Sequence, residues 1–255
     1  MSVVSIPTLG VDAGSREVKL AVSDGAEIVF KAHMDTIKFY IELKTGDGRL
    51  DIKKLSALGH APGYERLVST GYGRNNVKIE GGVSIPEIDA HVSGALFQTG
   101  LTDFTLVDLG GQDTKVVSVK GGMVDDFMMN DKCAAGSGRY LENIAHALDV
   151  SMAKLGRCHD DPAPLSNTCA TFGESEVIEL VSEGVEVEKI LAGANRSVVL
   201  RLLPMALKFR PKVIVATGGV AKNRAIREML AEETGVEVVV PGDPQINGAI
   251  GCCLS

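Results

Sequence analysis

Seventeen residues beginning at Leu9 return in register beginning at Thr105, and this internal repeat is the strongest constraint on the fold. Asp12 and Asp108, Gly14 and Gly110, Lys19 and Lys115, and Gly25 and Gly121 share one offset of 96 residues. Each copy has an apolar run ending in Asp, a Gly turn, a second β-rich run, another Gly turn and a third run (Glu27 to Phe30; Met123 to Phe127). Apolar alternation closed by Gly turns reads as a β-hairpin followed by a third strand, placed twice. The period then becomes helical. Tyr140, Leu141, Ile144, Ala145 and Leu148 share a face, as do Val177, Ile178 and Val181, and then Val198, Val199, Leu202, Leu203, Ala206 and Leu207. Strands are expected again at Val213 to Ala216 and Val236 to Val240, flanking a helix near Asn223 to Glu233. Sheets alternating with helices, built twice, predict an α/β protein of two lobes with duplicated βββαβα order. The expected division is 1–92 plus 243–255 for lobe I and 93–242 for lobe II.

Composition narrows the partners. With 26 Lys and Arg against 33 Asp and Glu, the net charge of −7 disfavours nucleic acid, whose phosphates call for a basic surface. No apolar run approaches the roughly 18 residues needed to span a bilayer, and no signal-like segment follows Met1. A cytoplasmic location without membrane or nucleic-acid partners is the expectation. Five cysteines then argue against a disulfide framework, so each thiol is core, reactive group or metal ligand.

Two Asp-x-Gly hairpins, one per lobe, are expected to face a nucleotide triphosphate from opposite sides. Glycine lets backbone N–H groups approach phosphate oxygens, while carboxylates hold hydrated Mg2+. Ser15 and Lys19, with Gly14 and Arg16, are the donors of the first hairpin, and Gly110, Gly111 and Gln112 those of the second. Asp12 and Asp108 end strands, where a carboxylate orders a metal-bound water. One of Asp108, Gln112 and Asp113 is expected to orient the attacking water, since phosphoryl transfer depends on positioning and charge neutralisation. A third turn, Thr217-Gly218-Gly219-Val220, follows a strand and opens a helix, a place for adenosine. Gln245, with Asn247 and Gly248, is placed to add polar contacts to base or ribose. The stretches Asp12 to Lys19, Asp108 to Lys115 and Thr217 to Ala221 resemble the phosphate-1, phosphate-2 and adenosine motifs of the superfamily of acetate and sugar kinases, heat-shock chaperone ATPases and actin. That resemblance implies a two-lobed actin-like (ribonuclease H-like) ATPase fold that binds ATP.

Two thiols stand before expected helix starts. Cys133 lies in Asn130-Asp-Lys-Cys-Ala-Ala-Gly-Ser-Gly-Arg139 and Cys169 in Cys169-Ala-Thr-Phe-Gly-Glu-Ser-Glu176. A helix N-terminus favours thiolate over thiol. Their separation of 36 residues does not match zinc spacing, whereas a two-fold dimer would assemble the four thiolates that a cubane cluster requires. These strings, with Val107-Asp-Leu-Gly-Gly-Gln-Asp113 and Thr70-Gly-Tyr-Gly-Arg74, resemble the activator component of 2-hydroxyacyl-CoA dehydratases and the ATPase subunits of benzoyl-CoA reductase. The resemblance continues through Ala216 to Asn223 and Gln245 to Ala249. It implies Cys133 and Cys169 as ligands of one 4Fe-4S cluster per homodimer. It implies ATP-driven one-electron transfer from ferredoxin or flavodoxin to an iron-sulfur dehydratase or reductase component, by a homodimer or by paired related subunits. Residues 31–60 depart from the pattern, with Asp35 to Lys44 and a polar Gly turn where a Gly/Ser-rich loop is expected. Cys158, Cys252 and Cys253 carry no ligand spacing and read as packing residues. The rival reading is a sugar-type small-molecule kinase of the same superfamily without a cluster, and a nucleotide-switched filament is a further alternative.

Overall fold

A computed structural model describes residues 6–46, 50–51, 54–55, 62–71, 82–130, 137–165 and 170–255. The chain divides into two units, 1–101 with 245–255 and 102–244.

The first unit holds a five-stranded sheet in the order β3-β2-β1-β4-β5. Its strands are β1 (Thr8–Ala13), β2 (Glu17–Ser23), β3 (Ile28–Asp35), β4 (Arg66–Thr70) and β5 (Val83–Ser84). β1 is buried throughout because it is central, antiparallel to β2 and parallel to β4. Alternation sends Leu9 and Val11 into a core with Val18, Leu20, Phe39 and Leu43. Helix α1 (Thr36–Leu43) is capped by Asp35, whose carboxylate accepts from the N–H groups of Ile37 and Lys38. On the other face of the sheet lie α2 (Glu87–Thr99) and, past the second unit in the chain, α8 (Asn247–Cys253). These two helices meet backbone to backbone. A Cβ on Gly251 would sit 1.7 Å from the Ala90 carbonyl oxygen, so no larger residue fits there. Because α2 is held whole against α8, the division falls at 101/102 rather than at 92/93, which would cut the helix.

The second unit repeats the plan with the order β10-β9-β6-β7-β8. Its strands are β6 (Phe104–Leu109), β7 (Thr114–Lys120), β8 (Met123–Asn130), β9 (Val213–Thr217) and β10 (Glu237–Val239). Read from the hairpin edge, each sheet runs third, second, first, fourth and fifth strand. Even the irregularities match: the register shifts at Val22/Ser23 in the first sheet and at Ser118/Val119 in the second, the same 96 residues apart. The helices are α3 (Gly138–Ala147), α4 (Met152–Leu155), α5 (Ala170–Ser182), α6 (Val187–Lys208) and α7 (Arg224–Thr234). A 3-10 turn, Gly219–Lys222, precedes α7, whose cap Asn223 accepts from the Ile226 N–H. Tyr140, Leu141, Ile144 and Ala145 of α3 are buried as their spacing predicts. The same expectation fails on α5, where Val177 enters the core but Ile178 and Val181 are exposed, and at Leu207 of α6, also exposed.

Helix α6 also corrects the expectation that no segment is long and apolar enough to cross a membrane. Its 22 residues qualify by length and composition, with a mean hydropathy of 1.3, yet 61% of that window is buried inside the unit. Ile190, Leu191, Val198, Val199 and Leu202 fill the core against α3 and the sheet, so the apolarity serves packing.

The close approach of α2 and α8 generates a prediction. Gly251→Ala is expected to lower the unfolding free energy by about 2 kcal/mol or more, because the methyl overlaps backbone that cannot rotate away. Gly242→Ala, where a Cβ meets nothing within 4 Å, is expected to stay within about 0.5 kcal/mol in the same urea titration.

Candidate functional site

Each central strand ends in an acidic residue whose register partner on the adjoining strand is lysine. Asp12 faces Lys19 across β1 and β2, and Asp108 faces Lys115 across β6 and β7. In the first unit the Lys19 ammonium is 3.4 Å from Asp12 Oδ2. In the second, Lys115 is wholly buried, with its ammonium 2.7 Å from Asp113 Oδ2 and 3.8 Å from Asp108 Oδ2. Asp12 and Asp108 are 2% and 3% exposed, so these ion pairs lie where solvent screening is weak. Thr217 further ties Asp108 in place by donating its hydroxyl to Oδ1 at 2.9 Å.

A second matched feature flanks both acids. Thr70 pairs with Asp12 in parallel register and is followed by Gly71; Thr217 pairs with Asp108 and is followed by Gly218. Gly71 has φ of +104° and Gly218 of +85°, conformations that favour glycine. A Cβ at Gly71 would lie 2.5 Å from the Ala13 carbonyl oxygen, and one at Gly218 2.3 Å from that of Leu109. Both central strands are therefore abutted at their ends by a glycine that no other residue replaces.

The hairpin turns are engaged differently. In the first unit the Gly14 carbonyl accepts from the Thr36 hydroxyl at 2.8 Å, Ser15 is half-buried, and exposed Arg16 pairs with Asp35 at 3.3 Å. Gln245 donates its side-chain amide to the Glu17 carboxylate, which places it beside the first hairpin. In the second unit the Gly110 N–H donates to the Asp113 carbonyl, closing the turn around half-buried Gly111 and Gln112. The first N–H groups of α3 dock on this turn, Gly138 donating to Gly110 at 2.9 Å and Arg139 to Gly111 at 3.0 Å. Val220 of the 3-10 turn lies against Gly138, so the 110–112 turn, the start of α3 and the 218–220 turn converge within one unit. Gly219 has open space around it.

Some expectations change. Asn247, expected among ligand contacts, is fully buried; its amide donates to the His91 carbonyl and accepts from Gln98, tying α8 to α2. Cys133 and Cys169 lie outside the described residues, and α5 begins at Ala170, next in sequence to Cys169, while α3 begins at Gly138. Cys252 and Cys253 are buried in α8, where burial pushes both thiols up, Cys253 to about 11. Half-buried Cys158 donates its thiol to the Lys154 carbonyl and is also pushed up, chiefly by burial. Sequence reasoning missed Glu87 and His91, which join Asp12 in a group whose donor atoms all lie within 4.8 Å of one another. The signal was available in the sequence as an acid and a histidine at i, i+4 spacing, Glu87 and His91, but no helix was expected there.

Two sheets of identical strand order, each ending its central strand in an Asp–Lys pair beside a glycine turn, define the actin-like ATPase fold. Residues 9–255 match the model of the BadF/BadG/BcrA/BcrD ATPase family, and the chain belongs to that family. It is 37% identical to the (R)-2-hydroxyglutaryl-CoA dehydratase activating ATPase of Acidaminococcus fermentans over 98% of this chain and 97% of that one. It is 37% identical to the activator of lactoyl-CoA dehydratase of Anaerotignum propionicum, over 97% and 96% of the two chains. Its fold superposes on the activator of the 2-hydroxyisocaproyl-CoA dehydratase from Clostridium difficile with bound ADPNP at a TM-score of 0.83, with 33% identity, covering 98% of this chain and 93% of that one.

Two measurements test the site's interior. Lys115→Met removes the cation between two carboxylates and is expected to cost about 3 kcal/mol of unfolding free energy in denaturant titration. Because thiolate is the nucleophile, iodoacetamide on the native protein near pH 8 is expected to spare Cys252 and Cys253 until denaturant is added, with Cys158 reacting before either, as peptide mass spectrometry would resolve.

Proposed function

We propose that this chain is an ATP-dependent one-electron activator of a partner iron-sulfur enzyme, of the 2-hydroxyacyl-CoA dehydratase or benzoyl-CoA reductase kind. The observation that carries the reading is the doubled Asp–Lys hairpin on a chain of this ATPase family. In the proposed reaction Gly14, Ser15, Arg16 and Lys19 bind phosphate oxygens of ATP from one hairpin, and Gly110, Gly111 and Gln112 from the other. Backbone N–H groups at glycine turns and a lysine suit a polyanion, and buried carboxylates nearby suit the waters of a magnesium ion brought with it. Asp12, Asp108 and Gln112 orient those waters and the attacking one, so that hydrolysis rests on positioning. Gly218, Gly219 and Gln245 hold the nucleoside end.

Cys133 and Cys169 are the proposed ligands of a 4Fe-4S cluster. The donor set favours this pair by chemistry: Cys252 and Cys253 are packed inside α8, and the Cys158 thiol donates to a helix carbonyl. One chain then offers two thiols, and the four ligands of a cubane call for two chains. A cluster held there supplies storage of a single electron at low potential, taken from ferredoxin or flavodoxin. The chain's own contribution is mechanical. The 110–112 turn, proposed to touch the γ-phosphate, is hydrogen-bonded to the first residues of α3, a short stretch after Cys133. Loss of the phosphate frees that turn to shift, and the helix start shifts with it.

Anaerobically purified protein is expected to be coloured and to carry about two irons per chain, one cluster shared by two chains. Cys133→Ser and Cys169→Ser are each expected to remove colour and iron while ATP binding persists. An iron-loaded dimer of either variant would overturn the ligand assignment, and iron-free, colourless native protein would overturn the redox function.

A further inference from the structure

Asn195 stands in the middle of α6 among Ala192, Ala194, Val198 and Val199, and none of it is exposed. A primary amide in such a place is costly unless its hydrogen-bonding groups are met. Two other elements meet them. Asn195 Nδ2 donates to the carbonyls of Leu155 and Cys158, both at 2.9 Å, and Oδ1 accepts from Asn223 Nδ2 at 2.8 Å. The first two bonds hold the loop that leaves α4, and the third reaches the residue between the 219–222 turn and α7.

Asn223 serves three partners at once. Its backbone N–H donates to the Val220 carbonyl at 2.8 Å and closes the 3-10 turn. Its side-chain oxygen caps α7 by accepting from the Ile226 N–H at 3.0 Å, and its side-chain nitrogen reaches outward to Asn195. Backbone fills the space around this tie. A Cβ on Gly156 would meet Asn223 Cα at 3.6 Å, and the Ala225 N–H donates to the Gly156 carbonyl at 3.0 Å. On α6 the same loop lies against Gly193, where a Cβ would sit 2.3 Å from the Ala163 carbonyl oxygen. Apolar contact alone is non-directional and would let a helix start slide, whereas hydrogen bonds of fixed direction hold the cap of α7, and the turn before it, in one place.

We propose that Asn195, acting through Asn223, is a positioning residue for the nucleoside of ATP, setting where the Gly218–Gly219 turn stands. Being wholly buried, it reaches no ligand itself. The inference rests on the proposed function, in which that turn holds the nucleoside end while the two hairpins hold the phosphates. Cutting the tie therefore weakens the grip on the nucleoside and spares the grip on the phosphates. The loop stays attached without it, because His159 stands farther along α7 with its ring nitrogens 3.1 Å from Asp160 and from Glu232.

Steady-state ATP hydrolysis by the full chain, with inorganic pyrophosphate as a competing inhibitor, is the test. Asn223→Ser keeps an oxygen to cap α7 and removes the reach to Asn195, whereas Asn195→Ala removes all three of that residue's bonds. Each is expected to raise the KM for ATP about tenfold, with kcat and the inhibition constant of pyrophosphate within about twofold of the unaltered protein. Ser197 is equally buried on α6 but bonded to the Tyr140 hydroxyl at 3.2 Å, and Ser197→Ala is expected to keep the KM within about twofold. If Asn195→Ala fails to fold, Asn223→Ser decides the question alone. An unchanged KM in Asn223→Ser, or a rise matched by pyrophosphate or by Ser197→Ala, would overturn the inference and leave the proposed ATPase standing. Unaltered protein that hydrolyses no ATP would overturn the proposed function, and this inference with it.

Discussion

Everything in this chain hangs on a buried carboxylate at the end of a central strand with a lysine directly across the hairpin. Desolvating an aspartate is costly, and the cost is offset only if a cation and hydrogen-bond donors are fixed beside it. At Asp108 the compensation is complete in the described residues: Lys115 is buried next to it, and Thr217 donates to it from the parallel neighbour. That requirement dictates the topology around the strand. An antiparallel partner must deliver lysine in register, and a parallel partner must end at the same level with a hydroxyl and then turn away. The turn has to be glycine, because Gly218 lies 2.3 Å, in Cβ terms, from the backbone it passes.

The same logic fixes how far the repeat extends. The hairpins recur at 96 residues, and so do the bulges at Val22/Ser23 and Ser118/Val119, because all of these depend on local spacing along one hairpin. Thr70–Gly71 and Thr217–Gly218 are equally equivalent in space but stand 147 residues apart in sequence, since the second unit inserts α3 to α6 between its third and fourth strands. Linear self-comparison finds the first relation and is blind to the second. The turn at Gly218 therefore stands out in the sequence and Thr70 to Arg74 only within a resemblance, although the two turns do one job.

What was legible and what was not divides along local against tertiary determinants. Strand and helix identities followed from periodicity, and the burial of Tyr140, Leu141 and Ile144 from their spacing. The same spacing failed for Ile178 and Val181, because periodicity marks an apolar stripe but not whether anything in the unit covers it. Asn247 and Gln245, two residues apart, illustrate the limit at the site. Both are amides near a Gly, yet Gln245 reaches the first hairpin while Asn247 spends its hydrogen bonds on α2. Only the docking of α8 on α2 distinguishes them, and that docking is set by glycines whose partners lie far away in sequence, as Gly251 does against Ala90, 161 residues apart.

The position of α8 carries a consequence for the whole architecture. Its residues follow the entire second unit in the chain, yet they complete the core of the first: Ala249, Ile250 and Cys253 pack with Ala21 on the sheet. The second unit is one continuous stretch, 102–244, whereas the first is not and acquires its finished interior only when the C-terminal segment returns. The segment returns directly after Pro244, whose carbonyl accepts from the Gly218 N–H at 2.8 Å. The glycine turn that abuts the second unit's acid is therefore one hydrogen bond from the point where the chain leaves that unit, and Gln245, the next residue, is already bonded to the first hairpin.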